Sequence, residues 1–62
     1  MYKVTYKGMD GFSGEVDLSK DFESLELAES LYTRLESRAM QYGASLEIVD
    51  MVNGEILEQI EA

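Results

Sequence analysis

The chain predicts an α+β fold of ββαββ order, in which a four-stranded antiparallel sheet carries one helix packed across one face. Three observations lead there. Between Ser24 and Tyr42 the apolar residues recur at helical spacing, over a longer stretch than anywhere else in the chain. On both sides of that stretch the pattern alternates with period two, as in half-buried strands. Each flank is broken once by glycine-containing turn residues, Gly8-Met9-Asp10-Gly11 before the helix and Asn53-Gly54 after it, so each flank reads as a hairpin.

The first strand is expected over Tyr2 to Lys7, with Tyr2, Val4 and Tyr6 on one side and Lys3, Thr5 and Lys7 on the other. The second is expected over Phe12 to Leu18, with Phe12, Gly14, Val16 and Leu18 inward and Ser13, Glu15 and Asp17 outward. Ser19, Asp21 and Ser24 compete to cap the helix. Ser24 is preferred because the apolar stripe of Leu25, Ala28, Leu31, Tyr32, Leu35, Ala39 and Tyr42 starts right after it. Glu26 and Glu29 suit the positive end of the helix dipole, Arg34 and Arg38 the negative end, and Gly43 is the expected left-handed residue after the last turn. Phe22 is expected to seal the edge of the core.

Ala44 to Val52 and Glu55 to Ile60 form the second hairpin. A two-residue turn would leave neither face cleanly apolar. A three-residue connection with Gly54 left-handed puts Leu46, Ile48, Ile56 and Ile60 on the core face and Val49, Met51 and Leu57 together on the outer face. Setting the second and third strands on either side of the first gives the order 2-1-3-4 with every neighbouring pair antiparallel.

The 62 residues suffice for one small domain, 1–62, because so short a chain buries only about 60% of the surface it exposes when unfolded. Apolar residues make up 45% of it, enough for a folded core. With no cysteine and no histidine, neither a disulfide nor an imidazole or thiolate metal site is available. The N-terminus has no apolar signal-like region and no apolar run reaches a membrane span, so a cytoplasmic protein is expected. Thirteen acids against five bases give a net charge of −8, which repels nucleic acid and anionic membranes and favours basic protein surfaces.

Catalysis is not expected. His and Cys are absent, the serines lack a general base, and Gly8, Gly11 and Gly14 do not form a phosphate loop that opens a helix with lysine. Met9-Asp10-Gly11 offers one carboxylate where a calcium loop needs several, so neither metal nor cofactor is expected.

Two surfaces could bind a partner. Glu23, Glu26, Glu29 and Glu36 lie off the core stripe of the helix and Glu15, Asp17 and Asp21 lead into it, so a curved row of carboxylates could imitate phosphates in a basic groove. Arg34 and Arg38 interrupt that row, and a merely solvated acidic face is the plainer account of it. The outer stripe of Val49, Met51 and Leu57 is the second surface, apolar enough to be covered by a target or a second copy.

In size, acidity, lack of Cys and His, and ββαββ order, the chain resembles the small phage-encoded proteins that inhibit host machinery, anti-CRISPR proteins and DNA mimics among them. The resemblance implies action in a host cytoplasm and carries over no individual residue. The leading expectation is a non-catalytic inhibitor that occludes a basic, nucleic-acid-handling partner protein. The alternative is a small homo-oligomeric structural or accessory domain, a homodimer through its apolar sheet face.

Overall fold

The computed structural model describes residues 1–12 and 14–61. Its elements are β1 (Tyr2–Met9), β2 (Glu15–Phe22), α1 (Leu25–Tyr42), β3 (Ser45–Asp50) and β4 (Glu55–Ile60). The strands form one antiparallel sheet in the order β2-β1-β3-β4, as expected. Central β1 supplies Val4 and Tyr6, and β3 supplies Leu46 and Ile48, all fully buried beneath Ala28, Tyr32 and Ala39 of α1.

The first hairpin departs from expectation at both ends of β2. Its connection spans 10–14, closed by Asp10 N–H donating to Gly14 O at 3.2 Å and Phe12 N–H donating to Asp10 Oδ1 at 2.8 Å. Phe12, expected inside, is therefore in the turn and 81% exposed, with the Arg38 guanidinium 5.1 Å from its ring centroid. The expected placement of Ser13 lies outside the described residues. At the other end β2 continues past Leu18 to Phe22, so Ser19 and Asp21 are strand residues, not capping candidates. In this register Lys3 faces Asp21 and Lys7 faces Asp17, pairs of opposite charge that favour it over a one-residue slip. Lys20 takes a position on the core side and breaks the apolar alternation there; its ammonium lies 5.8 Å from the Phe22 ring centroid.

Ser24 precedes α1 in an extended conformation, φ −112° and ψ 134°, without a side-chain cap bond. Its carbonyl accepts from Ala28 N–H at 3.1 Å. At the other end Gly43 is left-handed, φ 67°, and Ala44 N–H donates to Ala39 O at 2.9 Å, the wrap that commonly closes a helix. The last turn has no basic residue; Arg38 sits further back and reaches sideways to Phe12, away from the helix end. Alanines at 28 and 39 let the helix lie close on β1 and β3, while Leu31 and Leu35 pack half-buried along the flank. Leu25 and Tyr42, expected in the core stripe, are exposed at the first and last positions of the helix.

The second hairpin turns through four residues, 51–54, instead of three. Gly54 is left-handed as expected, φ 73°, and its N–H donates to Asp50 O at 2.8 Å. Asp50 Oδ1 accepts from Val52 N–H and Asn53 Oδ1 from Glu55 N–H, both at 2.9 Å, which fixes the longer turn. Away from the turn the pairs are Leu46 with Ile60 and Ile48 with Glu58; near it they are Val49 with Ile56 and Asp50 with Glu55. Leu57 is the extra residue at this bulge. An unbroken four-residue register would turn Ile60 outward, whereas the bulge brings both Leu57 and Ile60 against the core. Ile56 is correspondingly turned out and 49% exposed.

Candidate functional surfaces

The seven carboxylates expected in one row fall into two groups. Glu15, Asp17 and Asp21 are opposite Met9, Lys7 and Lys3 on the sheet face away from α1, because β2 keeps its alternation as far as Phe22. Glu26, Glu29 and Glu36 are exposed on α1, on the other side of the sheet. Exposed Glu23, in the two-residue link between β2 and α1, is where the groups come nearest in the chain.

On the helix, positive and negative side chains are sorted by rotation. Taking the line from Ala28 to Ala39 as the underside, Glu29 and Glu36 project about 80–100° toward the flank of Tyr32, while Arg38 projects about 80° and Arg34 about 120° toward the other. Burial pushes the Tyr32 phenol above its ordinary range, and the carboxylates of Glu58 and then Glu36 push it further. The Glu29 and Glu36 flank therefore faces β4. The arginine flank faces β2, as the contact of Arg38 with Phe12 also requires.

The whole molecule is charged in the same sense. From residue 39 onward the sequence contains Glu47, Asp50, Glu55, Glu58 and Glu61 and no lysine or arginine. The five bases are Lys3, Lys7, Lys20, Arg34 and Arg38, all in β1, β2 or α1. Strand alternation does not place Glu58 with the helix carboxylates, although the lack of any base after Arg38 points to an acidic C-terminal hairpin.

The apolar stripe of Val49, Met51 and Leu57 does not assemble. Val49 is on the outer face between Lys3 and Ile56, Met51 is in the turn with its N–H donating to Met1 O at 2.9 Å, and Leu57 packs against the core. The bulge and the four-residue turn cause the change. Around Val49 and Ile56 the outer face presents Thr5, Glu47 and Gln59, so it lacks the continuous apolar area on which the homodimer alternative depended.

Among the described residues there is no group of three or more carboxylates placed to hold a metal ion, and no pocket. No helix among them is long and apolar enough to cross a membrane. The second buried phenol, Tyr6, donates to Met9 O. Burial raises its pKa, the Asp10 carboxylate adds to the rise, Arg38 opposes it, and Tyr42 adds a smaller increment.

Raised phenol pKa values mean that the folded chain retains protons that the unfolded chain gives up near pH 10. The resulting stability is complete below about pH 10 and is lost as pH rises through the folded values. The urea midpoint should thus be level up to about pH 9 and fall above about pH 10, with a shallower fall in Tyr32→Phe. A midpoint constant to about pH 11 would mean that neither phenol is desolvated.

Comparison with protein-family models, with curated proteins and with solved structures returned no match to this chain.

Proposed function

We propose that this chain is a non-catalytic acidic binding protein that acts by occlusion, laying carboxylates over the basic surface of a nucleic-acid-handling protein, as phage-type inhibitors such as anti-CRISPR proteins and DNA mimics do. The observation that supports this reading is the one-sided charge: Glu36 of α1 and Glu58 of β4 both act on the buried Tyr32 phenol, Glu29 lies two turns before Glu36 on the same helix flank, and no base follows Arg38 in the chain. A partner groove built to bind phosphates would meet carboxylates there, with its own lysines and arginines as counterions. The binding group is thus the helix flank and β4, and the β2 carboxylates Glu15, Asp17 and Asp21 point elsewhere.

The test is affinity capture from a bacterial lysate, followed by a DNA-binding assay of the captured protein. Wild-type protein is expected to retain a basic protein, release it as salt is raised, and suppress its DNA binding. A Glu29→Gln, Glu36→Gln, Glu58→Gln variant should keep the fold and bind at least about tenfold more weakly, mainly through slower association. Equal capture by the variant, or a captured protein whose DNA binding is unimpaired, would rule out occlusion by these carboxylates.

A further inference from the structure

The edge of the sheet at β2, beside α1, has the opposite character to the acidic flank. Strand β2 is eight residues long and has a hydrogen-bonded neighbour, β1, on one side only. Its helix-side residues are Val16, Leu18, Lys20 and Phe22, opposite Gly8, Tyr6, Val4 and Tyr2. Because α1 is seated over β1 and β3, that side of β2 is incompletely covered: Leu18 is 36% exposed and Leu27 of the helix 57%.

Lys20, Arg34 and Arg38 border this apolar strip. The helix starts two residues after β2 ends and runs back along it. At about 1.5 Å per helical residue and about 3.3 Å per strand residue, Arg34 comes level with Leu18 and Arg38 with Val16. Three of the five bases in a chain of net charge −8 thus lie along one free strand edge.

We infer that this edge is a docking site for an extended peptide segment of another protein, alternately apolar and acidic on its inward side, which adds to β2 as a fifth strand. Backbone hydrogen bonds to β2 supply the register, Val16, Leu18 and Leu27 receive the apolar side chains, and Lys20, Arg34 and Arg38 receive the carboxylates. A second copy fits worse. Pairing β2 with itself through Leu18 sets Glu15 against Asp21 of the other copy, and pairing through Ser19 sets Asp17 against Asp21. Either arrangement also brings the two arginine flanks together. The surface is separate from the acidic flank, so it can be tested without reference to the proposed inhibition.

Fluorescence anisotropy with a labelled peptide, Thr-Leu-Thr-Glu-Thr-Val-Thr-Glu, tests the inference. It should bind saturably and weaken with salt, and replacing both glutamates with lysine should weaken it at least about tenfold. Of two versions of the peptide, each N-methylated on one of the two alternate sets of backbone nitrogens, one should not bind, because one set must face β2 to complete the strand ladder. Arg34→Glu, at an exposed position, should reduce affinity at least about tenfold while the far-ultraviolet circular dichroism is unchanged. No saturation by about 1 mM peptide, equal binding of the lysine peptide, retained binding of both N-methylated peptides, or full affinity in Arg34→Glu would each overturn it. So would a concentration-dependent dimer in sedimentation that the peptide fails to dissociate.

Discussion

Gly8→Ala is expected to leave the chain largely unfolded in water. Gly8 has φ 137°, outside the range that L side chains adopt readily, and a Cβ built on it would lie 2.7 Å from Ala44 Cβ and 2.9 Å from Ala44 Cα. Ala44 cannot easily yield. It is buried, it follows the helix after Gly43 alone, and its N–H is held by Ala39 O at 2.9 Å. Strained backbone costs about 1–3 kcal/mol and overpacking against a fixed neighbour about as much again. A domain of this length has only about 3–9 kcal/mol of stability to lose. Gly54→Ala is the control, since its φ of 73° is also positive but nothing lies within 4 Å of the added carbon. Urea titration followed by circular dichroism should show a much lower midpoint for Gly8→Ala; equal midpoints would mean that the backbones at residues 8 and 44 can separate at little cost.

Ile48→Ala should cost about 2–5 kcal/mol, the usual range for truncating a fully enclosed aliphatic side chain. Ile48 is 0% exposed, with Val4 opposite it on β1 and Glu58 on β4, so the surrounding sheet has little room to collapse into the void. The same truncation at Leu35, near the middle of the helical stripe, should cost less because that side chain is only half-buried. Helical periodicity alone points to Leu35 as the central core residue. The structure shifts that role to β3, because alanines at 28 and 39 bring the helix down onto Leu46 and Ile48. Equal losses for the two variants in chemical denaturation would contradict this distribution of packing.

Part of the candidate site could be read in advance. Residues off the apolar stripe of a helix must be solvent-facing, so the exposure of Glu26, Glu29 and Glu36 followed directly from their spacing. Their company did not follow. Whether Asp17 and Asp21 join the helix carboxylates depends on where β2 ends, and Lys20 hid the strand by interrupting its apolar alternation. Whether Leu57 is surface or core depends on a single bulge, and one residue of shift in a strand turns a side chain to the opposite face.

Features under local chemical control are legible in the chain: the ββαββ order, the start of the helix after Ser24, its end at left-handed Gly43, and the left-handed turn residue Gly54. The sequence also implied the strand order β2-β1-β3-β4, since β1 joins two hairpins while keeping every neighbour antiparallel. The turn lengths, the bulge at Leu57, and the rotation of α1 that brings Glu36 and Glu58 both to bear on Tyr32 and sets Arg38 over Phe12 emerge only when the elements pack. Periodicity and caps act within a few residues and can be read from the chain. Register and helix rotation are settled by which distant side chains can be buried together, and here burying both Leu57 and Ile60 outweighed an unbroken ladder.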